Sequence, residues 1–225
     1  MKEKSRNSLS DMAYLALRKK IITLGGGSYI SARQFANEVG VSYTPVREAF
    51  LRMEREGTLK LIPNVGFFIN AFDIGEVIQI YQARECTEIF VLEKAFDFIT
   101  KEHIQQMKNI NVQLEAALAK GNILEYQQLD IKFHETFFII YGNKHLLNFY
   151  RNIREQYMLC SVRVAKRLSN AVVVEHEGIL ASIEAGDKEK AINALRKNIS
   201  QARERMIEGY INVRNEFSVE NIPTV

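Results

Sequence analysis

The sequence predicts a mostly α-helical protein of two domains: an N-terminal head with a two-stranded hairpin, and a C-terminal bundle of six helices. Three observations support this architecture. No proline occurs between positions 64 and 222, and an interior proline costs a helix about 3 kcal/mol. Glycines interrupt that stretch in AKGN (119–122), YGN (141–143) and EAGD (184–187), and glycine commonly ends helices. Between the interruptions, apolar residues recur three and four positions apart, as on one face of a helix.

Six helices are predicted after the head. Ile74, Val77, Ile78 and Tyr81 form one apolar stripe, and a stripe of this kind buries one face of a helix. We expect helices near 74–98, 101–119, 123–141, 144–168, 171–185 and 188–214. Together they form an all-helical domain, residues 73–217, followed by a tail at 218–225.

The first two helices of the head, residues 1–72, are bounded by glycine and serine. Apolar residues line one side of 9–23, and a GGG segment then breaks that helix. Ser31 and Gln34 have the spacing of a capping box. A short second helix is therefore expected at 32–39, where Gly40 ends it.

A third helix and two strands complete the head. The helix is expected from Pro45 to Glu56, with Thr44 as its N-cap and proline in the first position, where a missing N–H costs nothing. Two strand-like runs follow, at 58–62 and 66–70, separated by Pro-Asn-Val. Three helices followed by a hairpin is the order of a winged helix-turn-helix.

Charge is divided unequally between the two domains. The chain carries 30 Lys and Arg against 27 Asp and Glu. The head holds 11 of these basic residues against 6 acidic ones, a net +5, and the remainder holds 19 against 21, a net −2. A basic head on a nearly neutral body indicates a polyanionic partner for the head alone.

The cysteines and the apolar runs exclude several other classes of protein. Cys86 and Cys160 are far apart and form no CxxC motif, so neither a zinc ribbon nor a disulfide framework is predicted. No run approaches the roughly 18 apolar residues of a membrane span, and the first residues lack the apolar core of a secretory signal. A cytoplasmic protein is expected.

The segment ARQFANEVGVSYTPVREAFLRMEREGTLKLIPNVGFFIN (32–70) contains three motifs. They are GVS-x-TPVREA at 40–49, L-x-x-E-x-x-G at 51–57 and P-x-x-G-x-F at 63–68. In these motifs the chain resembles the DNA-binding domain of the GntR family of transcription regulators. The resemblance implies that double-stranded operator DNA is the partner of the head.

A recognition helix presents the residues near its N-terminus to the major groove. Arg47 can donate two hydrogen bonds to guanine, and hydroxyls near a helix N-terminus suit phosphates. A glycine in the wing allows the backbone to approach the minor groove closely. Tyr43 stands where the family usually has arginine, so one basic contact is missing and the operator is expected to differ there. The expected DNA-binding residues are Arg33, Ser42, Tyr43, Thr44, Arg47 and Gly66.

The remainder of the chain, roughly 73–215, resembles the all-helical effector domain of FadR-type GntR regulators. Four motifs carry this resemblance: R-x-x-x-E at 84–88, D-x-x-x-H within LDIKFHE at 129–135, GN at 142–143, and EH-x-x-IL-x-x-I-x-x-GD at 175–187. Many domains of this type bind a divalent metal through one Asp and three His, beside a pocket for a small carboxylate.

Four residues of this chain match the ligand positions that the resemblance implies. Asp130 and His134 lie four apart, so both project from one face of a helix. His176 matches the third ligand, and Asn198 stands where the family has the fourth, a histidine. An amide oxygen is a weaker ligand than imidazole for Zn or Ni, so a Zn, Ni or Mn ion would be held less tightly here. Taken without the resemblance, an Asp and a His at this spacing are ordinary surface residues.

Arg84 has two interpretations. The resemblance implies that it neutralises the carboxylate of an effector. The spacing alone equally fits an i,i+4 ion pair with Glu88.

The function implied is that of a homodimeric transcription regulator whose operator affinity responds to a small carboxylate effector. Two other classes of protein fit the sequence less well. An enzyme using a 2-His-1-carboxylate metal set leaves the VSYTPVREA motif unexplained, and the sequence contains no HExxH or phosphate-binding loop. A winged helix that docks on proteins is disfavoured by the basic charge of the head.

Overall fold

The computed structural model describes residues 8–70, 74–161 and 170–219. The chain divides into two compact units, Met1–Phe72 and Asp73–Val225. The first contains the head and the second the helical domain. In the described stretches, no helix combines the length and the apolar character needed to cross a membrane.

The head consists of three helices and a small antiparallel sheet. Its elements are α1 (Leu9–Leu24), β1 (Tyr29–Ile30), α2 (Ala32–Val39), α3 (Tyr43–Arg55), β2 (Leu59–Ile62) and β3 (Gly66–Ile69). Phe50 on α3 is fully buried, and its ring lies 5.7 Å from that of Phe35 and 4.8 Å from that of Phe67. These aromatic contacts join α2, α3 and β3 in one core, which sets the direction of α3.

The sheet has one strand more than the predicted hairpin. The strand order is β1-β3-β2, with Tyr29 opposite Phe68 and Ile30 opposite Phe67. A two-residue strand is too short to show an alternating pattern, so it is recognised only by its pairing with β3. The predicted wing, β2 and β3, is present.

The helical domain contains six α-helices within its described residues. They are α4 (Ile74–Ala95), α5 (Lys101–Ala119), α6 (Ile123–Tyr141), α7 (Lys144–Ser161), α8 (Ala171–Glu184) and α9 (Lys188–Val219), with a 3-10 turn at Phe96–Phe98. The predicted bounds of α5 and α6 agree with the structure. Residues 162–168 of the predicted fourth helix lie outside the described residues, and α9 continues past its predicted end at 214. The predicted fold class, a winged helix-turn-helix followed by a helical bundle, is confirmed.

Helix packing in the helical domain brings distant segments together. Helix α4 packs against α6, α7 and α9, and α5 packs against α6 and α8. Polar side chains interrupt the buried faces of these helices; the fully or nearly fully buried ones include Arg84, Glu88, Asn111, His134, Arg154, His176 and Asn198. Because burying a charged or polar group is costly unless it is paired, their interactions need an account.

Candidate DNA interface and candidate metal centre

Helix α3 begins two residues earlier than predicted. Ser42 is its N-cap and Tyr43 its first residue, so the prediction of Thr44 as the cap was wrong. Pro45 occupies the third helical position. The first N–H groups of a helix have no intrahelical partner, so proline is tolerated in the third position as well as in the first. A proline in the sequence therefore predicts where the first turn of a helix lies, but does not show which residue begins it.

The N-terminal half of α3 has one buried and one exposed face. Ser42, Tyr43, Thr44 and Arg47 are all exposed. The opposite face is fully buried and consists of Val46, Ala49, Phe50 and Met53. Among the described residues, Arg47 takes part in no hydrogen bond or ion pair. The helix therefore presents hydroxyls and an unpaired guanidinium to solvent, as a recognition helix does.

Arg33 and Tyr43 lie next to each other although they belong to different helices. Arg33 is in the first turn of α2 and is exposed. Its guanidinium carbon lies 5.9 Å from the centre of the Tyr43 ring, near the outer limit of a cation–π contact. The residue that replaces the usual arginine thus stands beside a second basic position of the interface.

The structure of the head itself explains why position 66 is a glycine. Its φ is 135°, which is unfavourable for residues with a side chain. A Cβ added at Gly66 would lie 3.3 Å from the carbonyl oxygen of Ile30. The glycine therefore permits the close approach of β3 to β1, whatever it does toward DNA.

In the helical domain, Asp130, His134 and His176 come together from α6 and α8. One ligand atom of each lies within 4.8 Å of the others. Asp130 Oδ1 is 3.8 Å from His134 Nε2 and 3.5 Å from His176 Nε2. Both histidines are completely buried. A carboxylate and two imidazoles at these distances are a donor set suited to a divalent metal.

The orientation of His134 is set by α4. Its Nδ1 lies 2.8 Å from Glu88 Oε2, and Glu88 Oε1 accepts a 2.7 Å hydrogen bond from Arg84 Nε. Although burial raises the pKa of Glu88, the charge of Arg84 and the contact with His134 lower it to about 2. A carboxylate can only accept, so Nδ1 carries a hydrogen and the Nε2 of the ring faces Asp130. The i,i+4 pair between Arg84 and Glu88, one of the two interpretations, is present in the structure.

The orientation of His176 is set by α5. Asn111 Nδ2 donates to the carbonyl oxygen of Val173 at 3.1 Å, so its Oδ1 faces His176 Nδ1, also at 3.1 Å. An amide oxygen can only accept, and His176 Nδ1 therefore carries the hydrogen. Burial lowers the pKa of His176 to about 3, which leaves a neutral ring with a lone pair on Nε2. The Phe133 ring stacks on this imidazole at 3.8 Å.

Asp130 divides its two oxygens between different partners. Oδ1 faces the two histidines, and Oδ2 accepts a hydrogen bond from Arg154 of α7. Burial raises the pKa of Asp130, but Arg154 and the other groups around the carboxylate together outweigh burial, so that the net direction is downward. The carboxylate is therefore ionised and oriented before any ion arrives.

Asn198 of α9 is oriented by the neighbour of His176. Its Nδ2 donates to Glu175 Oε2 at 2.8 Å, and Glu175 is also held by two hydrogen bonds from Arg205, of 2.6 and 2.9 Å. The free end of the amide is its oxygen. Within the described part of the chain, Asn198 Oδ1 is buried without a hydrogen-bond partner, as are His134 Nε2 and His176 Nε2. The two imidazole nitrogens have lone pairs and lie close to Asp130 Oδ1, so Asp130, His134 and His176 fit a metal ion.

Three of the orienting side chains were not predicted from the sequence: Asn111, Arg154 and Glu175. They lie on helices other than those of the ligands they hold, or beside a ligand in the sequence. A signal existed for Asn111, since it falls on the buried stripe of α5 between Met107 and Leu114. A polar residue on an apolar stripe indicates a specific partner.

Taken together, the fold and the exposed face of α3 define a winged-helix DNA-binding protein with a second, helical domain. The model of the family described as "Bacterial regulatory proteins, gntR family" matches residues 9–69, and the model described as "FCD domain" matches residues 79–201. The chain belongs to the GntR family, in the FadR-type branch whose C-terminal domain is an FCD domain. It is a DNA-binding transcription regulator and not an enzyme.

Curated relatives match most of the chain. The HTH-type transcriptional regulator YdhC of Bacillus subtilis (strain 168) is 28% identical over 79% of this chain and 82% of its own. The gluconate operon transcriptional repressor of Bacillus licheniformis is 23% identical over 88% and 85% respectively. Both similarities extend across the two domains.

Solved structures share the fold. E. coli McbR/YncC covers 90% of this chain and 99% of its own at 19% identity, with a TM-score of 0.78. A metal-free FCD domain covers 64% of this chain and 99% of its own at 24% identity, with a TM-score of 0.55. At these sequence identities the similarity shows a shared fold and nothing more.

Proposed function

We propose that this regulator binds a short palindromic operator as a homodimer in the cytoplasm. The observation that carries the proposal is the exposed N-terminal face of α3, with Ser42, Tyr43, Thr44 and an unpaired Arg47. Two such faces related by a two-fold axis would enter successive major grooves. Arg33 would contact the DNA beside Tyr43, and Gly66 would bring the wing backbone to the minor groove.

The proposal is tested by the mobility of DNA from the promoter of the regulator's own gene. The purified protein should retard this fragment at concentrations that leave an unrelated fragment of equal length free. Competitor DNA and a matched salt concentration are needed, because non-specific binding depends steeply on salt. Equal retardation of both fragments would contradict operator recognition.

We further propose that the helical domain holds a divalent metal, Zn, Ni or Mn, through Asp130, His134 and His176. The preset tautomers of both histidines and the orphaned Nε2 atoms support this. Asn198 would be a weak fourth ligand through Oδ1. The bound ion would supply a positive charge for an anionic effector.

The effector is proposed to be a small carboxylate, with Arg84 as a counter-charge in its pocket. Arg84 is buried and remains ionised beside Glu88, since Glu88 and the other acidic groups around it together outweigh the effect of burial, and the net shift of the Arg84 pKa is upward. Two relatives are named for the gluconate operon, which is consistent with an acid of this class. Binding would change operator affinity through a coupling free energy of about 1–3 kcal/mol.

A further inference from the structure

Tyr126 of α6 is a buried tyrosine whose hydroxyl makes no hydrogen bond to any described residue. Its side chain is 3% exposed, and its hydroxyl is buried without a hydrogen-bond partner among the described residues. A buried hydroxyl without a partner loses its hydration and gains nothing in return. Such an atom in a folded protein needs an explanation.

The other buried tyrosines of the described chain have partners for their hydroxyls. Tyr81 and Tyr157 bond each other at 3.0 Å, and Tyr150 donates to the carbonyl oxygen of Ile131 at 3.2 Å. Tyr14 donates to a carboxylate in the head. Unsatisfied hydroxyls are therefore not a general feature of this core, and Tyr126 is the exception.

Tyr126 belongs to the same region as the candidate metal centre. It precedes Asp130 by four residues and so lies on the same face of α6. Burial raises the pKa of its phenol, and Asp130 and Glu175 raise it further against the opposing charge of Arg205. The phenol therefore keeps its hydrogen and can donate it.

The carboxylates nearby are already engaged elsewhere. Glu175 accepts hydrogen bonds from Asn198 and Arg205. Asp130 accepts one from Arg154 and faces the two histidines. The hydrogen of the Tyr126 phenol thus remains available for a molecule that enters this region.

We infer that Tyr126 is an effector-binding residue whose O–H donates to an oxygen atom of the effector. Because the proposed metal ion and Arg84 would take up the carboxylate of the effector, the Tyr126 hydroxyl is left for a further oxygen. The effector is then a carboxylate that carries a hydroxyl or a second carboxylate, and is not a simple aliphatic acid. This rests on the proposed function, because it assumes that an acid binds beside Asp130, His134 and His176.

Two variants that each delete one phenol oxygen separate this role from a structural one. Tyr126→Phe removes the unpartnered hydroxyl, and Tyr150→Phe removes a partnered one from an equally buried ring. Melting is first measured in EDTA without any acid. We expect Tyr126→Phe to melt at or above the wild-type temperature and Tyr150→Phe to melt about 2–4 °C lower.

Calorimetric binding with Zn²⁺ present then compares three six-carbon acids: hexanoate, gluconate and adipate. The wild type should bind gluconate or adipate roughly tenfold more tightly than hexanoate. Tyr126→Phe should remove most of this preference and leave hexanoate binding unchanged. A preference for gluconate identifies a hydroxyl as the partner, and one for adipate identifies a second carboxylate.

Three results would overturn the inference. One is a loss of melting temperature in EDTA for Tyr126→Phe as large as for Tyr150→Phe, which would give the hydroxyl a structural partner. Another is an unchanged preference among the acids in Tyr126→Phe. If the wild type binds none of the acids, the carboxylate class is wrong and the inference falls with it. Retardation of promoter DNA, measured without acid, tests operator binding separately.

Discussion

At the scale of single residues, Arg47 is the side chain of α3 best placed to read a base. It is exposed, and within the described chain its guanidinium has no other partner. Arg47→Ala should weaken operator binding by about 1–3 kcal/mol and relax base preference at one position in each half-site. Affinities for operator variants at constant salt measure both effects.

A matched control for this substitution exists on the same helix. Arg55→Ala removes an equal charge from the last turn of α3, away from the end that we propose enters the groove. It should lower affinity for all sequences slightly and leave base preference unchanged. If Arg47→Ala behaves in the same way, Arg47 contacts phosphate or nothing, and base readout lies elsewhere.

Tyr43 is the position in the head at which the sequence departs from the GntR motif that it otherwise resembles. The side chain is 45% exposed, and an arginine there would add a positive charge beside Arg33. Tyr43→Arg should raise general DNA affinity and steepen the dependence of log K on log salt by about one counterion per head. A salt titration of binding to non-operator DNA measures this slope. An unchanged slope would mean that Tyr43 does not face the duplex.

The sequence predicted the candidate ligands better than the side chains that orient them. The resemblance to FadR-type regulators identified Asp130, His134 and His176 as ligands, and the spacing of four placed the first two on one face of a helix. The pairing of Asn111 with His176, or of Arg154 with Asp130, depends on which helices become neighbours. That choice is made by packing of the whole domain, and no local pattern records it.

At the scale of elements, the predicted helix ends were accurate where a glycine in a left-handed backbone conformation ends the helix. Gly142 adopts a left-handed conformation and ends α6 at Tyr141 as predicted. The start of α3 was misplaced, because Ser42, Thr44 and Pro45 lie within four residues and allow several registers for the first turn. Strand β1 was missed, because its pairing with β3 is a tertiary contact.

The contact between α4 and α6 depends on the buried pair of Arg84 and Glu88. Their side chains are 2% and 0% exposed, and Glu88 also holds His134. Glu88→Ala should lower the free energy of unfolding of the helical domain by about 3–5 kcal/mol, because it leaves a charged guanidinium buried without its partner. Urea unfolding followed by circular dichroism measures this loss.

An exposed ion pair provides the comparison. Lys108 and Glu184 join α5 to α8 at 2.6 Å, but their side chains are 43% and 45% exposed. Glu184→Ala should cost only about 0–1 kcal/mol, because water screens the pair. Similar losses for both variants would show that burial does not determine the contribution of the α4 pair.

At the scale of the whole molecule, the division into a basic head and a nearly neutral helical domain was evident from the charge count. The composition could not show what the helical domain binds, because its buried polar residues are dispersed over six helices. Only the packed domain brings Asp130, His134 and His176 within reach of one ion.

Metal binding should be improved by restoring the usual fourth ligand. Asn198→His should tighten Zn²⁺ binding roughly tenfold, because imidazole is a better ligand than an amide for late first-row metals. At the same saturating concentration of free metal, tenfold tighter binding adds about 1.4 kcal/mol to the stability of the metal-bound protein. Calorimetric titration and metal-dependent melting measure the two quantities.

Two histidine variants serve as controls for this measurement, one that should lose metal binding and one that should keep it. His134→Ala should abolish the metal-dependent part of the melting shift, although it also destabilises the metal-free protein by emptying a buried position. His145→Ala removes an exposed histidine and should leave metal binding unchanged. Equal zinc affinity in all of these proteins would mean that the ion, if bound, lies elsewhere.

Gly66 affects how defective alleles of this regulator should be interpreted. In a genetic selection for loss of regulation, substitutions at Gly66 would be recovered together with those at Arg47 and would suggest a shared role in reading the operator. The carbonyl oxygen of Ile30 lies where a new Cβ would need room, so such alleles would act by displacing β3 from β1. The phenotype would be that of a lost contact, while its origin would be a misassembled sheet.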